Sequence, residues 1–314
     1  MSSESHGEEV PHAQSKFLQQ RLGSCKPFYT PCVSSIIFII LTVVSLAFGL
    51  PIFLASDGLW EAIVRYDDKC QIGTVCNVSF DVDRDLKKTQ LFFYYQLTNF
   101  FQNNFLYMSS KNWDQFSGEF VTSDNLDKCD PMRVNDIGEP LAPCGAFPTS
   151  IFNDTFVIDS SLPNFTSDSI SISTYYSLFQ DTNPTYNDTS AWLRNSTLFP
   201  KGQKDEHFVN WVQIAPLSKF RKLWASTAPD IDIDHGTYYV QINNTYPVSS
   251  FEGTKSIVIS EVSFAGGKNP VLGILFIVLA GINLIASVVF AILFFGQCLP
   301  IYKHLKVSPS SKPM

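Results

Sequence analysis

Charge is missing from two long stretches of this 314-residue chain. Val33–Ala55 and Val271–Phe295 contain no Asp, Glu, Lys or Arg. Each exceeds the roughly 20 residues needed to cross a hydrocarbon core of about 30 Å. Histidine is scarce as well: between the two runs only His207 and His235 occur. No Gly-x-Ser-x-Gly elbow accompanies them, which removes the support for a serine hydrolase. A phosphate-binding glycine loop is also lacking. Gly266-Gly267-Lys268 is followed by Asn269 and Pro270 and then by the second apolar run, so it cannot open a nucleotide-binding helix. Neither tail is long enough for a nucleotide-binding domain, and two spans do not readily make a substrate path. No catalytic residue, cofactor or metal is therefore expected. Asp81, Asp83 and Asp85 open like a calcium loop, but Leu86 stands where glycine must turn the chain and Phe92 where a bidentate Glu belongs. They read as an exposed strand or turn. Asp230, Asp232 and Asp234 alternate with Ile231 and Ile233, the pattern of a solvated strand face.

What is present lies between the two runs. All six Asn-x-Ser/Thr sequons fall there: Asn77, Asn153, Asn164, Asn187, Asn195 and Asn243. Lys16, Arg21 and Lys26 precede the first run, and Lys303, Lys306 and Lys312 follow the second. Basic residues flanking spans mark the cytosolic side. The expected organisation is a cytosolic tail (1–32), a first transmembrane helix (33–55), an exoplasmic domain (56–270), a second transmembrane helix (271–295) and a cytosolic tail (296–314). The first apolar run is too long for the roughly 7–15-residue core of a cleaved signal peptide and follows 32 mainly polar residues, so it reads as a signal anchor. The middle carries 26 acids against 16 bases, a net of −10, which argues against a nucleic-acid partner.

Seven cysteines divide by compartment. Cys25, Cys32 and Cys298 sit at the cytosolic edges. Cys70, Cys76, Cys129 and Cys144 lie in the oxidising middle, where disulfides persist. Four cysteines allow three pairings. The two local ones, Cys70–Cys76 and Cys129–Cys144, are favoured because each closes a short loop. A structural zinc site is the competing arrangement, against which the loose spacings count.

In the middle, Leu91–Leu97 and Phe208–Ile214 read as strands, as do Tyr238–Ile242 and Ser256–Val262. Asn99–Met108 follows helical spacing, and a short helix is expected from Pro216 with Leu217, Phe220 and Trp224 on one side. Residues 159–205 read as long glycosylated loops. The sum is a mainly antiparallel β domain with helical and loop extensions. In the first span Ser45 and Gly49 form a small-xxx-small pair that lets another helix approach. In the second, Asn283 places an amide in hydrocarbon, which is costly unless bonded. Its candidate partners are the first span, another protein or its own helix.

Several short motifs recur in a fixed order. Phe17-Leu18-Gln19-Gln20-Arg21-Leu22 precedes the first span. Tyr94-Tyr95-Gln96-Leu97, Asn99-Phe100 and Gln102-Asn103 follow it. Pro143-Cys144-Gly145, Ile151-Phe152-Asn153-Asp154-Thr155-Phe156 and Phe220-Arg221-Lys222-Leu223 come next. Tyr246-Pro247-Val248, Gly253-Thr254-Lys255 and Gly266-Gly267-Lys268-Asn269-Pro270 lead into the second span. In this order the chain resembles the cell-cycle control protein 50 (transmembrane protein 30) family. The resemblance implies an antiparallel β-sandwich ectodomain carrying disulfides and glycans. It also implies a non-catalytic accessory subunit that forms a heterodimer with a type-IV P-type ATPase, a phospholipid flippase. Such a subunit supports the stability of the ATPase, its exit from the endoplasmic reticulum and its movement of phospholipid to the cytosolic leaflet. The expected membranes are those of the endoplasmic reticulum, the Golgi and endosomes, and the cell surface. Arg21, Arg221, Lys222, Lys268, Asn269 and Asn283 are the candidate contacts with the partner or with membrane phospholipid. Phe264 stands where the family usually has Trp, and 159–205 matches poorly. The rival reading, without an ATPase, is a glycosylated cell-surface receptor or adhesion protein.

Overall fold

The computed structural model describes residues 30–194, 196–264 and 266–298. Arg21, Cys25, Asn195 and the lysines of both tails lie outside them. Among the described residues seven α-helices and ten strands are numbered in chain order. Two compact units result among the described residues, a helix pair (30–51 and 273–298) and a β domain (52–272).

The helix pair is made by α1 (Pro31–Asp57) and α7 (Val271–Cys298). Both are long and apolar enough to cross a membrane. Their outward Ile, Leu and Val side chains are exposed, including Val43, Ile40, Ile285 and Ile292. A helix that is apolar all round and uncovered is stable in hydrocarbon, where its backbone groups satisfy one another. Ser35 meets Ser287 and Thr42 meets Ala280, so the helices run antiparallel.

The β domain holds three antiparallel sheets. The first has five strands in the order β1 (Glu61–Arg65), β10 (Lys255–Glu261), β4 (Leu91–Leu97), β7 (Phe220–Thr227), β6 (Phe165–Thr166). The second orders β2 (Thr74–Val82), β9 (Gly236–Asn244), β5 (Thr155–Ile158), and the third pairs β3 (Leu86–Thr89) with β8 (Ile231–Ile233). Val78, Phe80 and Val82 of β2 alternate with exposed Asn77, Ser79 and Asp81. The buried set packs with Val240 and Ile242 of β9 against Phe93, Ile257 and Ile259 of the five-stranded sheet. The result is a β-sandwich with one inner core.

Five short helices decorate it: α2 (Phe105–Ser109), α3 (Trp113–Phe116), α4 (Ala146–Thr149), α5 (Ser173–Tyr176) and α6 (Glu206–Val212). Three sequence expectations are corrected here. Phe208–Ile214 is not a strand: residues 206–212 form α6, where Asp205 accepts from His207 N at 3.0 Å as N-cap. Phe208, Val209, Trp211 and Val212 are all buried, so this apolar run carries no period that separates helix from strand. The helix expected from Pro216 is instead β7, which pairs with β4 so that Lys222 faces Tyr95 and Arg221 faces Gln96. Two basic residues inside the strand hid its alternation. The helical spacing over 99–108 yields only α2, because Asn99 takes a positive φ of 57° and Asn104 caps the next turn. The described residues of 159–205 are mainly irregular, with only β6, α5 and a short 3-10 turn.

Candidate functional site

The motif residues first converge inside the β domain. Lys255 and Asp154 are 1% and 0% exposed at the side chain, with Nζ 2.7 Å from Oδ2. Lys255 Nζ also donates to Tyr246 O at 2.5 Å and to Asn244 Oδ1. The Tyr66 hydroxyl donates to Asp154 Oδ2 at 2.7 Å, and the backbone N–H groups of Thr245 and Tyr246 both reach Oδ1 at 2.6 Å. Burial pushes the Lys255 ammonium below its ordinary value while Asp154 pulls it back, and burial holds the Tyr66 hydroxyl protonated. This node ties β5, β9 and β10 together with every charge paired. Buried ion pairs of this kind are tolerable only when fully hydrogen-bonded. Gly145 belongs to the same class of structural motif. Its φ is +109°, and a Cβ there would lie 2.0 Å from Ser110 O.

The candidate cations separate. Lys222, expected at a partner surface, is 5% exposed. Its Nζ donates to Asn210 O at 2.8 Å and to Gln213 O, closing the C-terminal end of α6. Desolvation drives that ammonium down to about 7. Lys222 thus serves the fold, and a partner cannot reach it without unpacking α6. Arg221, one residue earlier and on the other face of β7, stays accessible. It pairs with Glu61 and donates from Nε to Gln96 Oε1 at 3.1 Å.

Lys268 and Asn269 lie in the turn before α7. Asn269 Oδ1 accepts from Val271 N at 3.1 Å, and Asn269 N donates to Ser56 Oγ at 2.7 Å. Asn just before Pro at a helix start is a common capping arrangement, so Asn269 has a capping role at the entry of α7 while its side chain remains exposed. Lys268 is exposed and lines a pocket with Lys219 and Arg221. Lys219 was not singled out in the sequence. Its signal was its place two residues before Arg221, just ahead of β7 and within the segment expected to be helical from Pro216.

In the helix pair, Ser35 Oγ donates to Ser287 O at 3.0 Å and Ser287 Oγ donates to Ser35 O at 3.1 Å. Phe38 stacks on Phe290 with centroids 5.6 Å apart. Gly49 sits where an added Cβ would fall 2.7 Å from Phe276 Cβ, so glycine sets the helix separation there. Asn283 is 7% exposed on the same packed face, yet its amide has no hydrogen bond to α1 or to its own helix among the described residues.

Cys70 is bonded to Cys76 and Cys129 to Cys144, with Cα–Cα distances of 5.9 and 5.6 Å. Asn77, Asn164 and Asn187 are exposed, and Asn153 and Asn243 are half-buried. Asp85 holds His235 at 2.8 Å, which accounts for one member of the calcium-like run. Among the described residues no group of three or more His, Cys, Asp or Glu is placed to hold a metal.

Comparison with known proteins places this architecture. The chain is 31% identical over 301 residues to "ALA-interacting subunit 3" of Arabidopsis thaliana, covering 89% of this chain and 85% of that one. It is 28% identical to "Cell cycle control protein 50A" of Bos taurus, over 88% of this chain and 87% of the relative. It is 32% identical to "Phospholipid-transporting ATPase accessory subunit CRF1" of Saccharomyces cerevisiae, over 73% of this chain and 62% of the relative. The sequence model of the LEM3 (ligand-effect modulator 3) family / CDC50 family matches residues 15–298. That match runs from before the first apolar helix, through the whole β domain, to the end of the second, and the chain belongs to the LEM3/CDC50 family.

Proposed function

We propose that the chain is a non-catalytic accessory subunit of a type-IV P-type ATPase that translocates phospholipid to the cytosolic leaflet. In this reading it forms a heterodimer with the ATPase and stabilises it. The two leave the endoplasmic reticulum together for Golgi, endosomal and plasma membranes. The observation that carries the reading is the similarity to a yeast protein named as an accessory subunit of a phospholipid-transporting ATPase, across 73% of this chain. The geometry supports it in two ways. The motifs resolve into packing nodes, caps and turns. The two apolar helices leave most of their apolar surface uncovered, which suits assembly with further helices in a membrane. The β domain, with its sequons and disulfides, is assigned to the exoplasmic side and both tails to the cytosol. Arg21 in the N-terminal tail, Arg221 and Lys268 on the β domain and Asn283 in α7 are the contacts assigned to partner or lipid.

Co-purification from mild detergent followed by a lipid-stimulated ATPase assay tests this. A stoichiometric P-type ATPase is expected, with no ATP hydrolysis by the chain alone. Normal arrival at the cell surface in cells without any such ATPase, and no co-purification, overturns the proposal in favour of a receptor. Protease treatment of sealed microsomes checks the topology: short tails are trimmed and a glycosidase-sensitive core is protected.

A further inference from the structure

The outer face of the five-stranded sheet carries a pocket of about 480 Å3. Tyr94, Gln96, Lys219, Arg221, Ser260 and Lys268 contribute to its lining, which includes three cations and no carboxylate. That is unusual in a domain with 26 acids and 16 bases. Its neighbour is the reverse. A hollow of about 390 Å3 is lined by Asp57, Glu61, Asp81 and Asp83, with Arg84 and Lys268. Lys268 stands on the border of the two. Within the cationic pocket the guanidinium of Arg221 is held in place by Glu61 and Gln96. Lys219 and Lys268 are exposed and have no ion-pair partner among the described residues. One fixed cation and two free ones, beside the hydroxyl of Tyr94, make a donor set for a phosphate group.

Covalent geometry says where such a phosphate would come from. Lys268 is three residues before Val271, so their Cα atoms are at most about 11 Å apart. The lysine is tied to the first turn of an apolar helix, at the depth where lipid headgroups lie. Phe264 agrees. It projects from the tight turn closed by reciprocal bonds between Ser263 and Gly266, and it is 84% exposed. An exposed apolar ring four residues before Lys268, at the start of an apolar helix, can bury itself at the membrane boundary.

We propose that this pocket binds the phosphate of a phospholipid headgroup, with Arg221, Lys219 and Lys268 as its cationic contacts. The site belongs to this chain alone and goes beyond the accessory-subunit reading, since it needs no ATPase. An acidic loop of a partner protein also suits three cations. The headgroup-sized hollow and the covalent tether to an apolar helix favour lipid.

The test is native mass spectrometry of the full-length glycosylated chain, purified without any ATPase. It is equilibrated in detergent with phosphatidylserine, phosphatidylcholine, diacylglycerol or inorganic phosphate. The two phospholipids should be retained and diacylglycerol should not. The K219Q/K268Q variant should retain at least about tenfold less phospholipid, as expected for loss of two charge-assisted contacts. The charge-preserving K219R/K268R variant should keep most of it, and both variants should melt at the parental temperature. If the double glutamine variant misfolds, K219Q and K268Q singly should each lower retention several-fold. Equal retention of diacylglycerol, or phospholipid retention unchanged by the glutamine variants, overturns the site. Binding of inorganic phosphate without phospholipid overturns the lipid source. A K219Q/K268Q chain that keeps its lipid but no longer co-purifies an ATPase marks the face as a protein contact, and the lipid site falls while the accessory reading stands.

Discussion

The β domain has two cores built in different ways. Between the sheets, Val78, Phe80, Val240, Ile242, Phe93, Ile257 and Ile259 meet from strands whose ladders satisfy their own backbones. Beside the sandwich, the second core is largely aromatic and comes from short helices and loops. Tyr95 stacks on Phe152 at 3.9 Å, and Phe116, Phe147, Phe179, Phe208 and Trp211 fill the rest. Irregular backbone has no ladder to satisfy all of its amides and carbonyls, so side chains supplement its own turn and loop bonds. Gln115 donates to Leu141 O at 2.9 Å and accepts from Cys144 N at 2.9 Å. Gln203 donates to Gln115 O at 3.0 Å, and Trp211 Nε1 to Phe147 O at 3.0 Å. Phe156 and Trp224 pack against both cores. Regular backbone lets a core be plain. Irregular backbone requires buried amides, capped turns and covalent staples.

The seam between the cores is where a single change should do most. Asp154 precedes β5 and holds Lys255, Tyr66 and two backbone N–H groups. Asp154→Ala leaves a buried ammonium uncompensated, which costs about 3–5 kcal/mol. Denaturant unfolding of the deglycosylated protein should show that loss, and cells should retain the variant in the endoplasmic reticulum. A loss below about 1 kcal/mol would mean that water replaces the carboxylate and that the seam is not dry.

The staples come next. Cys129–Cys144 spans 15 residues and packs against Val121 and Leu126 in the loop region, whereas Cys70–Cys76 spans 6 at the edge of the sandwich core. Chain-entropy reasoning gives about 3 kcal/mol for the first and about 2 kcal/mol for the second. Paired Cys→Ala variants should rank in that order. Non-reducing peptide mapping should find these two pairs, and crossed pairs would dissolve the ranking.

The same contrast explains what was readable in advance. β4, β9 and β10 sit where the sequence places strands, because alternation or a β-branched and aromatic run reports a sheet directly. The apolar spans were legible from length alone. The second core was not. In α6 every side of the helix is covered, so its period disappears, and in β7 a buried lysine occupies a position that apolar patterning leaves blank. Lys222 shows the limit at the site level too. Its charge suggested a surface, and only tertiary structure reveals that its ammonium closes a helix end. Arg221, one residue away and on the opposite face, cannot be told from it without knowing the strand.

His207 sharpens the comparison through pH. It lies on α6 and stacks on Trp224 at 3.9 Å. Burial lowers its pKa from 6.5 to about 4, outweighing the opposing effect of Glu206. Between those values the unfolded chain binds a proton and the folded one does not, so stability falls as pH drops from 6.5 towards 4. By pH 5.5 the loss is about 1.4 kcal/mol. His207→Phe keeps the stack and should remove this component of the pH dependence. The sandwich core has no such residue. His235 is exposed, and Asp85 raises its pKa. If unfolding midpoints of His207→Phe and the parent shift equally between pH 7 and 5.5, His207 is not the group that titrates.

The smallest effect lies in the helix pair, where packing in hydrocarbon leaves each polar contact worth little. Ser287 exchanges hydrogen bonds with Ser35, and interhelical bonds of this kind average about 0.6 kcal/mol in membranes. Asn283, one turn away and equally covered, bonds to nothing in this chain among the described residues. Ser287→Ala should therefore weaken association of the helices by about 0.6 kcal/mol, measured by reversible separation of tagged helices of the full chain in bicelles. Asn283→Leu should leave it unchanged or strengthen it, because an unpaired amide is removed from an apolar surrounding. The two variants should trade places when an ATPase is present. If the Asn283 amide is satisfied only in the complex, Asn283→Leu weakens co-purification while Ser287→Ala does not. A weaker helix pair in Asn283→Leu without any partner would show that the amide already bonds within the chain, and it would remove Asn283 from the contacts assigned to the partner.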